Sequence, residues 1–463
     1  MKMNKKAILT GTLALSTVAI ISGCGTSDES KHASANEKEE VTILTAVTGG
    51  KTDEEMKAFE KELSKLSGYD VHMVKPDDYN AVLMQKLKAG GEDLDLIYLG
   101  QDQLADLVDQ GALLDLTDKI ADSKVLSDTS VIPQSEWDNI AIDDKLYAGF
   151  NKKEIERVVN VNEPLLTNHD ISPEVEESLQ GYYQLFKELK AKDTDQGFYP
   201  FNLVLSELYD LQPWFASAGL KGGIVIDEDG KKTVPWSSDE SVAVWEWFQK
   251  LYAEELMDPS ALTDTTKELR SKFQAGQTGV VVDWAAWTGL YNVNAEASYP
   301  EQFAAVPHGG TKNADGDYML TRGGASLFGV PASSDNVDGA MKILEVFATQ
   351  EGGDLLSLGV EGLDYNVTDG KYELTETGEA NGMDHGAPFP VSEKYEAPFP
   401  HNPGVDEALD LLEFASIETY SPEATSYKEI VAKYALKMVK EQTDVKQTLK
   451  EMRTELKNAG VID

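Results

Sequence analysis

Apolar and polar positions divide the chain into sharply different stretches. Ala7 to Ile21 form an apolar run without a charge, preceded by Lys2, Lys5 and Lys6. Residues 25–40 contain no large apolar side chain. At Val41 the pattern changes: Val41 to Val47 is β-rich and mostly apolar, as a buried parallel strand is. Met56, Phe59, Leu63 and Leu66 then share one helical face. Tyr69 to Val74 reads as a strand, Tyr79 to Ala89 as a helix through Val82, Leu83 and Leu87. Leu94 to Leu99 reads as a third strand and Gln103 to Asp109 as a helix. Strand and helix in alternation predict a doubly wound α/β lobe, with its ligand crevice outside the carboxyl ends of the strands. Thr48-Gly49-Gly50-Lys51 and Gly100-Gln101-Asp102 fall on that rim, which makes Lys51, Gln101 and Asp102 candidate contacts.

From about 150 to 307 the period is mainly helical. Leu179–Leu189 carries Tyr182, Tyr183, Leu185, Phe186 and Leu189; Ser241–Leu256 carries Trp245 and Trp247 in apolar stripes. A hairpin is expected around Asp229-Gly230, and a short buried strand at Gly279-Val-Val-Val-Asp283. Residues 318–330 read as a strand pair closing on Gly323-Gly324. Ala340, Ile343, Leu344 and Phe347 mark a helix, and Tyr427–Asn458 one long final helix with Gly460 beyond it. Residues 152–170 and 375–405 read as irregular.

Charge narrows the choice of partner. The 463 residues carry 81 Asp+Glu against 41 Lys+Arg, a formal charge of −40. Such a field disfavours nucleic acid and anionic lipid surfaces. About 420 ordered residues exceed one core, so two lobes are expected. The charged start, apolar middle and small-residue end of residues 1–23 describe a secretory signal segment, and the apolar run is short for a membrane span of roughly 20 residues. Ile21-Ser-Gly-Cys24 resembles the lipobox of bacterial lipoproteins and holds the only cysteine in the chain. The resemblance implies lipidation at Cys24, with residues 24–40 as a disordered tether.

Asp95-Leu-Ile-Tyr, followed by Gln110-Gly-Ala-Leu-Leu-Asp-Leu, resembles the extracellular solute-binding proteins of ABC importers. Lys145-Leu-Tyr-Ala, Leu251-Tyr-Ala-Glu-Glu-Leu-Met-Asp-Pro and Phe273-Gln-Ala-Gly-Gln-Thr-Gly-Val are similar to the carbohydrate-binding branch. Gly329-Val-Pro-Ala-Ser-Ser-Asp, Gly359-Val-Glu-Gly-Leu-Asp-Tyr and Asp369-Gly-Lys-Tyr follow, the second of these resembling Firmicutes-type oligosaccharide-binding lipoproteins. The resemblance implies an α/β, two-lobe, periplasmic-binding-protein-like (type II) fold with a hinge and an interlobe cleft. By analogy the chain crosses near 149, 307 and 357, giving one lobe of 41–149 plus 308–357 and another of 150–307 plus 358–463. It further implies a monomer that captures a carbohydrate, is held to the membrane by its N-terminal lipid, and delivers to transmembrane permease subunits of the ABC transporter.

Sugar rings stack on aromatic faces while polar groups bind their hydroxyls. Asp283-Trp284-Ala-Ala-Trp287 directly follows a predicted strand, where an α/β lobe presents ligand contacts. Trp284 and Trp287, three apart on a turn, also fit a core, and the reading places them, with Asp283, in the cleft. Trp214, after Pro213, is a further candidate. Glu361 and Tyr365 lie in a Gly-flanked loop. Arg322, before Gly323-Gly324, is one of four arginines, and this scarcity favours a neutral or cationic ligand over uronates or sulfated sugars. The six histidines show no metal-ligand spacing, and no His-Glu-x-x-His or Gly-x-Ser-x-Gly motif occurs. Asp93 and Asp95 are the one candidate glycosidase pair, and the abundance of acids makes it a chance pair. No cofactor, metal or catalytic residue is therefore expected. A peptide- or polyamine-binding lipoprotein and a surface glycan hydrolase are the competing readings.

Overall fold

The computed structural model describes residues 39–463, apart from 92, 194, 228, 296–302, 420 and the side chain of Asp102. The signal segment, the tether and Cys24 lie outside the described residues, except that the first strand starts at Glu40, inside the expected tether.

The first sheet has five strands in the order Asp70–Val74, Glu40–Leu44, Leu96–Leu99, Leu327–Gly329, Ala148–Phe150. The first three run parallel, with Val41 opposite Val71 and Ile43 opposite both Met73 and Leu96. Leu327–Gly329 runs antiparallel to both its neighbours. The apolar strand residues, buried on both faces, need helices on each side, and the sequence supplies them. Asp53–Ser67 is the clearest case: Thr52 and Glu55 cap its start reciprocally, Phe59 and Leu63 face the core, and Gly68 ends it at φ 85°.

The second sheet has the order Ala305–His308, Arg157–Asn162, Thr278–Trp284, Tyr199–Asn202. Arg157–Asn162 is antiparallel to both its partners, and Tyr199–Asn202 is parallel to Thr278–Trp284. Its core is built largely of rings. Phe186 stacks on Phe201 with centroids 4.9 Å apart, and Trp245 and Trp247 lie among them from the helix Val242–Ala253. The final helical stretch is two helices, Ala424–Glu441 and Val445–Asn458, not one. Gln442 takes the left-handed conformation at φ 52° between them, which folds the second back on the first.

Three further expectations change. Residues 318–330 are not a hairpin, because Leu320–Thr321 pairs with Ala415–Ser416 while Leu327–Gly329 joins the first sheet. Residues 152–170 are regular: the strand Arg157–Asn162, buried throughout, and the helix Glu163–Asn168. The lobe boundaries also move. The chain leaves the first sheet after Phe150 and enters the second at Arg157. It returns between Thr321 and Leu327 rather than near 307, because Ala305–His308 is still an edge strand of the second sheet. It crosses again after Val391 rather than near 357, because Leu355, Ala387 and Val391 pack in the first core while Ala408 packs on Val158 and Ala285.

The crossings lie side by side as a hinge. The backbone of Lys153 donates to the Phe389 carbonyl (2.8 Å), Gly323 donates to the Ile155 carbonyl (2.9 Å), and Glu156 bridges Arg322. A flat ribbon of three extended segments bends more readily than two packed cores deform.

Candidate functional site: an aromatic cleft between the lobes

A cleft of about 600 Å³ opens where the two lobes meet, above this hinge. Gln101 and Tyr98 come from the first lobe, Tyr209, Trp284 and Trp287 from the second, and Lys152 to Ile155, with Phe389, from the hinge that forms the floor. Each of the five wall residues and Phe389 is half-buried, so part of their surface remains available to a solute.

Trp284 is the last residue of the strand Thr278–Trp284 and the N-cap of the helix Ala285–Asn294. This strand-to-helix junction puts it at a carboxyl strand end, the usual ligand position of an α/β sheet. Its ring centre is 6.1 Å from that of Tyr209, and the Arg157 guanidinium lies 4.3 Å from it. One helical turn on, Trp287 has the Arg270 guanidinium 3.8 Å from its centre. Each indole thus carries a cation on a face, an attraction that fixes the plane of the ring.

Both guanidiniums are held by Asp283, which is fully buried. Its Oδ1 accepts from Arg157 Nη1 (3.2 Å), Arg270 Nη2 (2.8 Å) and the Trp284 backbone N–H (2.9 Å). Its Oδ2 accepts from Arg270 Nε (2.6 Å) and the Tyr291 hydroxyl (2.7 Å). Asp210, also buried, faces Arg157 Nε at 3.3 Å and accepts from the Val204 N–H. Burial is the main influence on Asp210 and, against the attraction of Arg157, pushes its carboxyl up to about 7. Such bidentate, desolvated pairs hold geometry well.

The other sequence candidates separate. Trp284, Trp287 and Gln101 line the cleft. Gln101 is already occupied, since its Oε1 accepts from the Ala325 N–H (3.2 Å) and its Nε2 donates to the Asn139 carbonyl (3.3 Å). It ties the first lobe to the hinge. Asp283 sits behind the aromatic wall and has no surface for a ligand. Trp214 is a correction: Pro213 lies in the first turn of the short helix Gln212–Phe215, which turns the ring inward, 4.9 Å from Tyr182 and 5.1 Å from Phe201, fully buried. Arg322 is in the hinge, donating to the Glu154 carbonyl (3.0 Å) and to Glu136 (2.9 Å). Lys51 donates to the Asn381 carbonyl (2.9 Å) and does not line the cleft. Neither Glu361 nor Tyr365 lines it either. Tyr365 is buried against Tyr372, centroids 5.5 Å apart, and Glu361 is exposed. The backbone of Asp102 follows Gln101 in the helix Gln101–Asp109.

Tyr98, Arg157, Tyr209, Arg270, Phe389 and Lys428 are site residues that the sequence did not single out. Arg270 lies on the helix Thr266–Gln274, whose Leu269 and Phe273 are core. Its acceptor, Asp283, sits thirteen residues on, across a turn and a strand. Among the described residues no group of His, Cys, Asp and Glu is arranged to hold a metal, and no helix is long and apolar enough to cross a membrane.

Known proteins fit this architecture. Lipoprotein LipO of Bacillus subtilis (strain 168) is 22% identical over 379 residues, 77% of this chain and 73% of that one. The ABC substrate-binding protein Lmo0181 of Listeria monocytogenes, solved in complex with cycloalternan, aligns with a TM-score of 0.68 at 17% identity. The alignment covers 92% of this chain and 100% of that one. The GacH receptor of Streptomyces glaucescens, solved unliganded and with acarbose, gives a TM-score of 0.66 at 16% identity, over 92% and 99% of the two chains. These likenesses make the fold two-lobed and periplasmic-binding-protein-like. The family profile of bacterial extracellular solute-binding proteins matches residues 51–354, and the chain belongs to that family.

Proposed function

We propose that this protein is the substrate-binding lipoprotein of an ABC importer and captures a carbohydrate, an oligosaccharide in length, between its lobes. The observation that carries the reading is the half-buried pair Trp284 and Trp287, their planes fixed by guanidiniums, in a cleft that Tyr98 lines from the first lobe. Rings from both lobes suit a pyranose, which offers two apolar C–H faces and a rim of hydroxyls. The solved Listeria and Streptomyces relatives, described with cycloalternan and with acarbose, support it. Binding works as a population shift: ligand touching both walls stabilises the closed form more than the open one. No chemistry on the sugar is required of the cleft. The lipid on Cys24 holds a monomer to the extracytoplasmic face of the membrane, where permease subunits receive the cargo. The test is calorimetry of the whole protein against neutral and acidic oligosaccharides, peptides and polyamines. Saccharide binding with the sugar recovered intact is expected. Binding confined to peptides or polyamines, or a hydrolysed sugar, overturns the reading.

A further inference from the structure

We propose that the cleft selects a saccharide bearing an acetamido group, an N-acetylhexosamine, and seats the acetyl end in an apolar recess beside Trp287. This rests on the carbohydrate reading above and goes on to name the substituent that the site recognises. The charges of the cleft are matched within the protein and do not choose the ligand. Lys152 faces Glu154 at 3.6 Å, Lys153 faces Glu393 at 2.8 Å, Arg270 is held by Asp283, and Lys75 donates to the Gly50 carbonyl (3.3 Å). Selectivity then falls to shape and apolar surface.

A recess of about 40 Å³ adjoins the cleft and shares Leu290, Asp384 and Phe389 with it. Met383 and Val405 extend its apolar lining. One water takes about 10–15 Å³ of such space, so the recess admits about three heavy atoms. An acetyl group has that size, and its methyl end suits apolar walls; a hexose hydroxyl leaves the recess unfilled. Leu290 stands one turn beyond Trp287 on the helix Ala285–Asn294, so a pyranose stacked on that indole has the recess at its rim.

The polar groups around the recess are Asp384, His401 and Asn402. Asp384 Oδ1 accepts from the Gly386 N–H (2.8 Å), and a carboxylate has acceptor sites for further donors. The amide N–H of an acetamido group is such a donor. Asn402 Nδ2 uses one hydrogen on the Gly382 carbonyl (3.5 Å) and has a second for the acetyl oxygen. The recess also spans the lobes. Leu290 belongs to the second, whereas Met383 and Asp384 lie on a stretch tied to the first, where His385 donates to the Leu356 carbonyl (3.0 Å) and accepts from the Gly49 N–H (2.9 Å). A group seated between them stabilises the closed form more than the open one, which is what capture requires.

The experiment is calorimetry of the whole protein with matched saccharides: the chitin trisaccharide beside its free-amine counterpart and cellotriose, and N-acetyllactosamine beside lactose. In at least one set the acetamido sugar should bind about tenfold or more tightly than its counterparts. Met383→Phe fills the recess and should narrow that gap by weakening the acetamido sugar. Counterparts that bind as tightly as the acetamido sugar in every set, or an unchanged gap in folded Met383→Phe, overturn the recess assignment and leave the carbohydrate reading in place. Absence of binding by every saccharide, those of the preceding test included, overturns both.

Discussion

Arg270 closes on Asp283 with two nitrogens, Nε at 2.6 Å and Nη2 at 2.8 Å, while its guanidinium lies 3.8 Å from the centre of Trp287. A buried carboxylate thus sets the plane of a ring it does not touch. Through Arg157 it does the same for Trp284. The aromatic wall is therefore one unit with an ionic back.

Asp283→Asn removes the charge that balances both guanidiniums. Breaking one partner of a buried pair costs about 3–5 kcal/mol, so a large fall in thermal stability is expected. In the surviving folded protein, affinity for saccharide should fall as well, and the near-ultraviolet circular dichroism of the tryptophans should flatten. A variant as stable as the parent would show that the guanidiniums find other partners.

Trp284→Ala is expected to weaken saccharide binding by about tenfold, about 1.4 kcal/mol, with little change in stability, because the ring is only half-buried. Calorimetry beside thermal melting checks both halves. A large loss of stability with unchanged affinity would return Trp284 to a packing role.

Gly323→Ala tests the hinge against the same ring. A Cβ at this position would meet Glu154 Oε2 and Trp284 Cη2, each at 2.8 Å. The methyl group should displace the indole tip and weaken binding several-fold, with both lobes still folded. An unaltered dissociation constant would mean that the ring and the acid give way at no cost to the ligand.

Glu156, next to Arg157, is buried with neither carboxylate oxygen hydrogen-bonded, and burial pushes its pKa up to about 7. Between the ordinary value of 4.5 and about 7 the folded state holds a proton that the unfolded state has lost. Stability from this group is therefore present below that window and falls as pH rises through it, by up to about 3 kcal/mol. Glu156→Gln does not titrate, so its melting temperature should fall less between pH 5 and about pH 8 than the parent's. Parallel curves would mean that Glu156 is charged and matched.

Cys24→Ala removes the thiol that the lipobox resemblance marks for acylation. Release of the protein into the medium, or a block in its maturation, is expected, since the residue that carries the lipid is then missing. Normal maturation with normal retention at the membrane would overturn the anchoring.

The alternating lobe was legible from its sequence because each buried strand is a short apolar run and each helix repeats at its own period. Trp284 was legible for a related reason: a ring that immediately follows a buried strand must emerge at a sheet edge. The ionic network behind it was not. Arg157 lies in a strand whose Asn160 and Asn162 break the apolar pattern, so Lys152 to Asp170 read as irregular. Tertiary partners meet part of that buried polarity: Asn160 Oδ1 accepts from the Thr288 hydroxyl, and Arg157 Nη1 donates to Asp283. Periodicity carries no trace of partners 126 and 128 residues away. Trp214 misled in the opposite direction, since a proline before a tryptophan marks a bend without saying to which side the ring goes.

The three segments of the hinge bear on the entropy of capture. Two bodies on one flexible linker explore many mutual orientations, and every binding event must surrender them again. Here, the crossings at 151–156, at 322–326 and after 391 leave little but rotation about a single axis. Most of that freedom is given up once, during folding, so a solute arriving in the cleft has only one motion left to arrest.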